Sequence, residues 1–65
     1  MAADADAELR SLVHALRTPL TIVEGFADAL ARRGDEMSAE ERADYVQRIS
    51  DAAREMRELL DGVHR

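Results

Sequence analysis

Apolar residues recur through the first half of the chain at Leu9, Val13, Leu16, Leu20, Val23, Ala27 and Leu30, spaced alternately four and three residues apart. A strand cannot use such a period, because its side chains switch faces at every residue. A helix lines these positions up along one side. Leu12, Pro19 and Phe26 fall beside this seam and widen it. So broad a stripe exceeds what a two-stranded coil needs, and it suits a helix packed on two neighbours at once, as in a four-helix bundle.

The pattern stops at "ARRGDEMSAEE" and resumes beyond it. Gly34 is placed to follow the helix end in a left-handed conformation, with Arg32 and Arg33 favoured at the negative end of the helix dipole. Ser38 and Glu41, three residues apart, have the spacing of a capping box that opens a second helix. The hydrophobic staple that often accompanies such a box is absent, because Arg42 holds its inner position. Val46, Ile49, Ala53, Met56, Leu60 and Val63 then repeat the seam, flanked by Tyr45, Ala52 and Leu59. Asp44 with Arg48, and Arg54 with Glu58, stand four apart and are expected to pair across outer faces. The expected organisation is one domain over residues 1–65, with helix 1 about 5–32, a turn at 33–38 and helix 2 about 39–62. The fold class is all-α: an antiparallel two-helix hairpin, dimerising into a four-helix bundle.

Size gives the reason to dimerise. A chain of 65 residues removes only about 60% of its unfolded surface from water, so a single-chain core is marginal. With no cysteine there are no disulfides and no thiolate metal sites to staple it. The net charge of −5 argues against general nucleic-acid affinity, which needs a basic face. No apolar run reaches the roughly 18 residues of a membrane span, so no direct membrane contact is expected. The expected location is the cytoplasm, in a parent protein that can be anchored in a bacterium's inner or plasma membrane.

Just off the seam stands His14. Arg10, Arg17, Thr18 and Thr21 share its side of the helix at minus four, plus three, plus four and plus seven. A solvated helix face with a histidine in it would look the same by spacing alone. Pro19 is the discriminating feature. It removes a backbone N–H, leaving the carbonyl of Ala15, right beside His14, without its helical partner, at a cost of about 3 kcal/mol in an ordinary helix. Thr18 and Pro19 would also suit the first positions of a new helix, but the heptad register runs in phase across Pro19. A continuous helix with a structural kink at Pro19 is therefore expected. His64, near the C-terminus, is expected to have no role.

The stretch His14-Ala15-Leu16-Arg17-Thr18-Pro19-Leu20 resembles the H-box of sensor histidine kinases, usually His-Glu-Leu-Arg-Thr-Pro-Leu, at six of seven positions. The setting is also similar: an early helix, a short turn and a second amphipathic helix, so the resemblance to the dimerisation and histidine-phosphotransfer domain spans nearly the whole chain. It implies that His14 accepts the γ-phosphoryl group of ATP held by a separate catalytic domain and passes it to an aspartate of a response-regulator receiver domain. An imidazole suits this task because near neutral pH such rings are largely uncharged and nucleophilic. The resemblance further implies that Arg17 offsets the phosphoryl charge, that Thr18 orients a water for dephosphorylating the regulator, and that Pro19 supplies the bend. Regulator docking is implied on outer faces below His14, around Glu24, Phe26 and the start of the second helix. The domain itself is expected to bind no cofactor and no metal. ATP and Mg²⁺ belong to the catalytic domain, which a chain this short does not contain.

One position departs from the pattern. Ala15 stands where the family usually carries Glu or Asp, whose carboxylate takes the proton from the second ring nitrogen. Help of that kind is typically worth about 10²- to 10⁴-fold. Glu8 and Glu24, six and ten residues from His14, lie off its face. The departure fits a weak autokinase, a chain loaded by another route, or a position altered to trap a state. It also keeps open a non-catalytic helical dimerisation or scaffold module, and a stand-alone phosphotransfer protein.

Overall fold

A computed structural model describes the backbone of residues 2–63 and the side chains of residues 4–62, so His64 and the side chain of Val63 lie outside the described residues. Helix α1 runs from Ala2 to Arg33 and α2 from Ala39 to Val63, joined through a 3₁₀ turn at Gly34–Glu36. The two helices pack side by side in an antiparallel hairpin. Its Cα extents are 52 × 19 × 10 Å. The smallest of these is about one helix diameter, so every element has open flanks and the chain cannot enclose a core.

Burial follows from that shape. Among the described residues only Pro19 and Ala52 are buried, and both line the contact between α1 and α2. Leu12, Ala15, Leu16, Val23, Phe26, Ala29 and Leu30 on α1 are half-buried, as are Tyr45, Ile49, Met56 and Leu59 on α2. The residues read as flanking the seam therefore form the centre of the hairpin contact. Much of the heptad seam itself faces outward: Leu9, Val13, Leu20 and Ala27 on α1, and Val46, Ala53 and Leu60 on α2, are exposed. A compact 7.2 kDa chain exposes about 4,100 Å²; this hairpin exposes 5372 Å².

The turn corrects one expectation and fulfils another. No glycine has a positive φ among the described residues, so Gly34 does not close α1 in a left-handed conformation. It opens the 3₁₀ turn instead, and the Met37 N–H donates to its carbonyl at 3.2 Å. The capping box forms in both directions. The Glu41 N–H donates to Ser38 Oγ at 3.0 Å, and the Ser38 N–H donates to Glu41 Oε1 at 3.0 Å. The Ser38 backbone N–H, and after it the Ser38 hydroxyl, hold the Glu41 carboxyl below the ordinary glutamate pKa. Arg42, which displaces the staple, donates to the Gly34 carbonyl at 3.5 Å.

Charged neighbours are arranged locally. Arg48 pairs with Asp44 at 3.0 Å, as its spacing implied. Arg54 instead turns back one turn to Asp51, at 3.6 Å, and not forward to Glu58; acids lie within reach in both directions, and spacing alone does not choose. Arg32 and Asp28 form a third pair at 3.1 Å. Such exposed pairs are worth a few tenths of a kcal/mol each.

Candidate functional site

His14 lies in the open-ended half of α1, away from the turn, and its side chain is exposed. The helix winding places Arg10, Arg17, Thr18 and Thr21 on its side of α1, and all four are exposed. Pro19 points the other way, into the contact with α2, where it is under 2% exposed. The imidazole thus stands in solvent while the residue that perturbs its helix is clamped against the neighbour.

The backbone around the histidine is a continuous helix: α1 passes through Pro19 without interruption. Pro19 still has no N–H to give the Ala15 carbonyl. One turn further on, the Thr21 hydroxyl donates to the Arg17 carbonyl at 2.8 Å, a side-chain bond back to the preceding turn that tends to bend helices. It also separates the two threonines. Thr21 Oγ1 is committed to the backbone, whereas no hydrogen bond involves the Thr18 hydroxyl among the described residues. Of the pair, only Thr18, four residues from His14, keeps its hydroxyl available to a water or a phosphoryl oxygen.

The electrostatics of this face are cationic. Arg10 and Arg17 flank His14 along the helix, and neither forms an ion pair among the described residues. No carboxylate pairs with His14 there either. Ala15 is half-buried and lines an apolar groove at the open end of the hairpin with Leu9, Leu12, Leu59 and Gly62. Its methyl therefore belongs to the interhelical contact and offers the imidazole no proton acceptor.

Below His14 the two residues named for regulator docking part company. Glu24 borders a shallow groove with Val13, Leu16, Arg17 and Leu20, on the seam side of α1. Phe26 faces α2, where its ring meets Tyr45 edge-on, with centroids 4.8 Å apart and planes at 73°. The Arg48 guanidinium sits 5.6 Å from the Phe26 centroid and fixes the edge of that cluster. Two neighbours passed unnoticed in the sequence. Ile22, although apolar, is 39% exposed, and Gly25 lies beside it on an exposed surface. A lone glycine inside a helical period was the available signal for this patch.

Residues 5–64, all but the two ends of the chain, match the family described as the His Kinase A (phospho-acceptor) domain. The chain belongs to that family, and so is the dimerisation and phospho-acceptor type of domain found in histidine kinases. Comparison with curated proteins and with solved structures gave no match. No helix among the described residues is long and apolar enough to cross a membrane.

Proposed function

We propose that two copies of this hairpin pair through their exposed seams into a four-helix bundle, leaving His14 outside as the phospho-acceptor of a two-component relay. The observation that carries this reading is the exposed imidazole of an H-box, on the side of α1 opposite the clamped Pro19, in a chain of the phospho-acceptor family. The unpaired seam supports the dimer: Leu9, Val13, Leu20, Val46 and Leu60 are between 44% and 60% exposed. Such large apolar side chains at heptad spacing reach the interior only against another helical pair.

In the first step a ring nitrogen of His14 attacks the γ-phosphorus of ATP held by a separate catalytic domain. A P–N bond forms, the bond to the bridging oxygen breaks, ADP leaves, and the ring gives up a proton. In the second step a carboxylate oxygen of a receiver-domain aspartate attacks the phosphorus, the P–N bond breaks, and His14 takes a proton back. Arg17 offsets charge on the phosphoryl oxygens, and Thr18 orients water for regulator dephosphorylation. Pro19, through the orphaned Ala15 carbonyl, bends the helix beside the ring. Transfers of this kind are governed by positioning and electrostatics. With Ala15 in place of a carboxylate, the proton of the first step goes to solvent or to the partner domain, and loading is slow.

The test is to incubate the chain with a histidine-kinase catalytic domain, labelled ATP and Mg²⁺. Acid-labile, base-stable label on His14 is expected, with Ala15→Glu raising the rate by about 10²-fold or more. His14→Gln should abolish the label and leave helix content and association unchanged, since the side chain is exposed. The Ala15 methyl, set in an apolar groove, favours one rival: a non-catalytic dimerising scaffold. Label on neither the natural chain nor Ala15→Glu would establish the scaffold in place of the relay.

A further inference from the structure

Ser11, Thr18, Thr21 and Ser50 carry their hydroxyls inside the described helices. Of these only Thr21 bonds the backbone, donating to the Arg17 carbonyl at 2.8 Å. Burial does not require that bond, because Thr21 is exposed and water would satisfy its hydroxyl. Nor does helix stability: threonine is a poor helix former, and a bond back to the preceding turn weakens a helix slightly. What sets Thr21 apart from the other three is its place, one turn after Ala15 and Arg17 and two residues after Pro19.

Two residues turn a helix through about 200°, so Pro19 and Thr21 stand on nearly opposite sides of α1. Pro19, under 2% exposed, faces α2 and gives the Ala15 carbonyl no N–H. Thr21, on the His14 side, adds a donor to the Arg17 carbonyl. Within one turn the helix therefore loses a bond toward α2 and gains one toward the open face, while α1 stays continuous. Both changes favour the same bend, opening toward α2 and closing toward His14. His14 precedes this turn, and Arg17 and Thr18 lie within it. Arg17 also owns the carbonyl that Thr21 holds.

We infer that Thr21 is a positioning residue: by holding the Arg17 carbonyl it sets, jointly with Pro19, how Arg17 and Thr18 stand against a phosphoryl group on His14. The inference rests on the relay reading above. Thr21 itself touches neither the phosphoryl group nor the attacking water, since its hydroxyl is committed to the backbone. It acts through the bend. In transfers governed by positioning, a misplacement of about 1 Å costs about 10²-fold in rate, so a partial loss of the bend is visible in kinetics before it is visible in stability.

The experiment follows His14 labelling by a histidine-kinase catalytic domain with labelled ATP and Mg²⁺. Thr21→Val exchanges the hydroxyl for a methyl at similar helix propensity. It should slow labelling about tenfold at saturating catalytic domain. The half-saturating concentration, helix content and dimer should stay as they are, and the melting point should be no lower. Thr21→Ser keeps a hydroxyl and should recover most of the rate, which a role in packing alone would not produce. In a Pro19→Ala background, Thr21→Val should slow labelling no further, because both residues serve one bend. A natural rate from Thr21→Val, a Thr21→Ser as slow as Thr21→Val, or fully additive losses with Pro19→Ala would overturn the inference and leave the relay intact. A natural chain that takes no label at all would remove the relay reading together with this one.

Discussion

Each helix carries two apolar stripes of similar composition, and their fates differ. The inner stripe, Leu12, Pro19 and Phe26 against Tyr45, Ala52 and Leu59, is closed within the chain. The outer one, Leu9, Val13, Leu20 and Ala27 with Val46, Ala53 and Leu60, is left open. The inner stripe owes its closure to the turn: the capping box and the Phe26–Tyr45–Arg48 cluster fix how α2 returns along α1. The outer stripe has no such local device, so its burial depends on a second molecule. Stability of the hairpin and assembly of the site are in this way assigned to different residues on the same helices.

Leu20→Asp or Val46→Asp breaks the comparison most severely. Either side chain is about half exposed in the hairpin, so a single chain tolerates the charge. In a paired bundle the same change buries a carboxylate without a partner, at a cost of several kcal/mol. Sedimentation should show the natural chain as a dimer and both variants as monomers; an unchanged dimer would count against the packing. Next in size is Phe26→Ala, which removes the inner aromatic contact. Phe26 is only half-buried, so the loss is about 2 kcal/mol, below the usual range for a fully enclosed ring. It should appear as a lower denaturation midpoint with the dimer still formed at high concentration.

Smaller effects come from the cap. Ser38→Ala should cost about 1 kcal/mol, visible in thermal melts followed by circular dichroism. Because folding lowers the Glu41 pKa, its contribution is complete above the ordinary glutamate value and is lost as pH falls through the lowered folded one. Glu41→Gln should therefore flatten the acid limb of the stability–pH curve and leave its neutral region nearly unchanged in shape.

What the sequence disclosed divides along similar lines. Ser38–Glu41 and Asp44–Arg48 were legible because their partners lie within one turn, where helix geometry alone brings them together. The heptad spacing showed that both stripes exist. It did not show which one the hairpin would close, because Leu12 and Leu9 are chemically alike and only the path of the turn decides between them. Gly34 was misread for a related reason: the chain reverses through a 3₁₀ turn, a choice set jointly by both helices. His14 was legible as an exposed residue from its position beside Val13, whereas the inward methyl of Ala15 needed the opposing Leu59 to be in place. Gly25 carried a signal in its helix-breaking character, but only the empty space around its Cα shows that the fold does not use it.

Phosphorus NMR on the chain after loading by a catalytic domain, run beside sedimentation of the same sample, tests the account most directly. It predicts a phosphorus–nitrogen resonance from a particle twice the 7.2 kDa chain mass, lost in His14→Gln while the particle mass stays the same. No such resonance, or the resonance from a single chain, would contradict it.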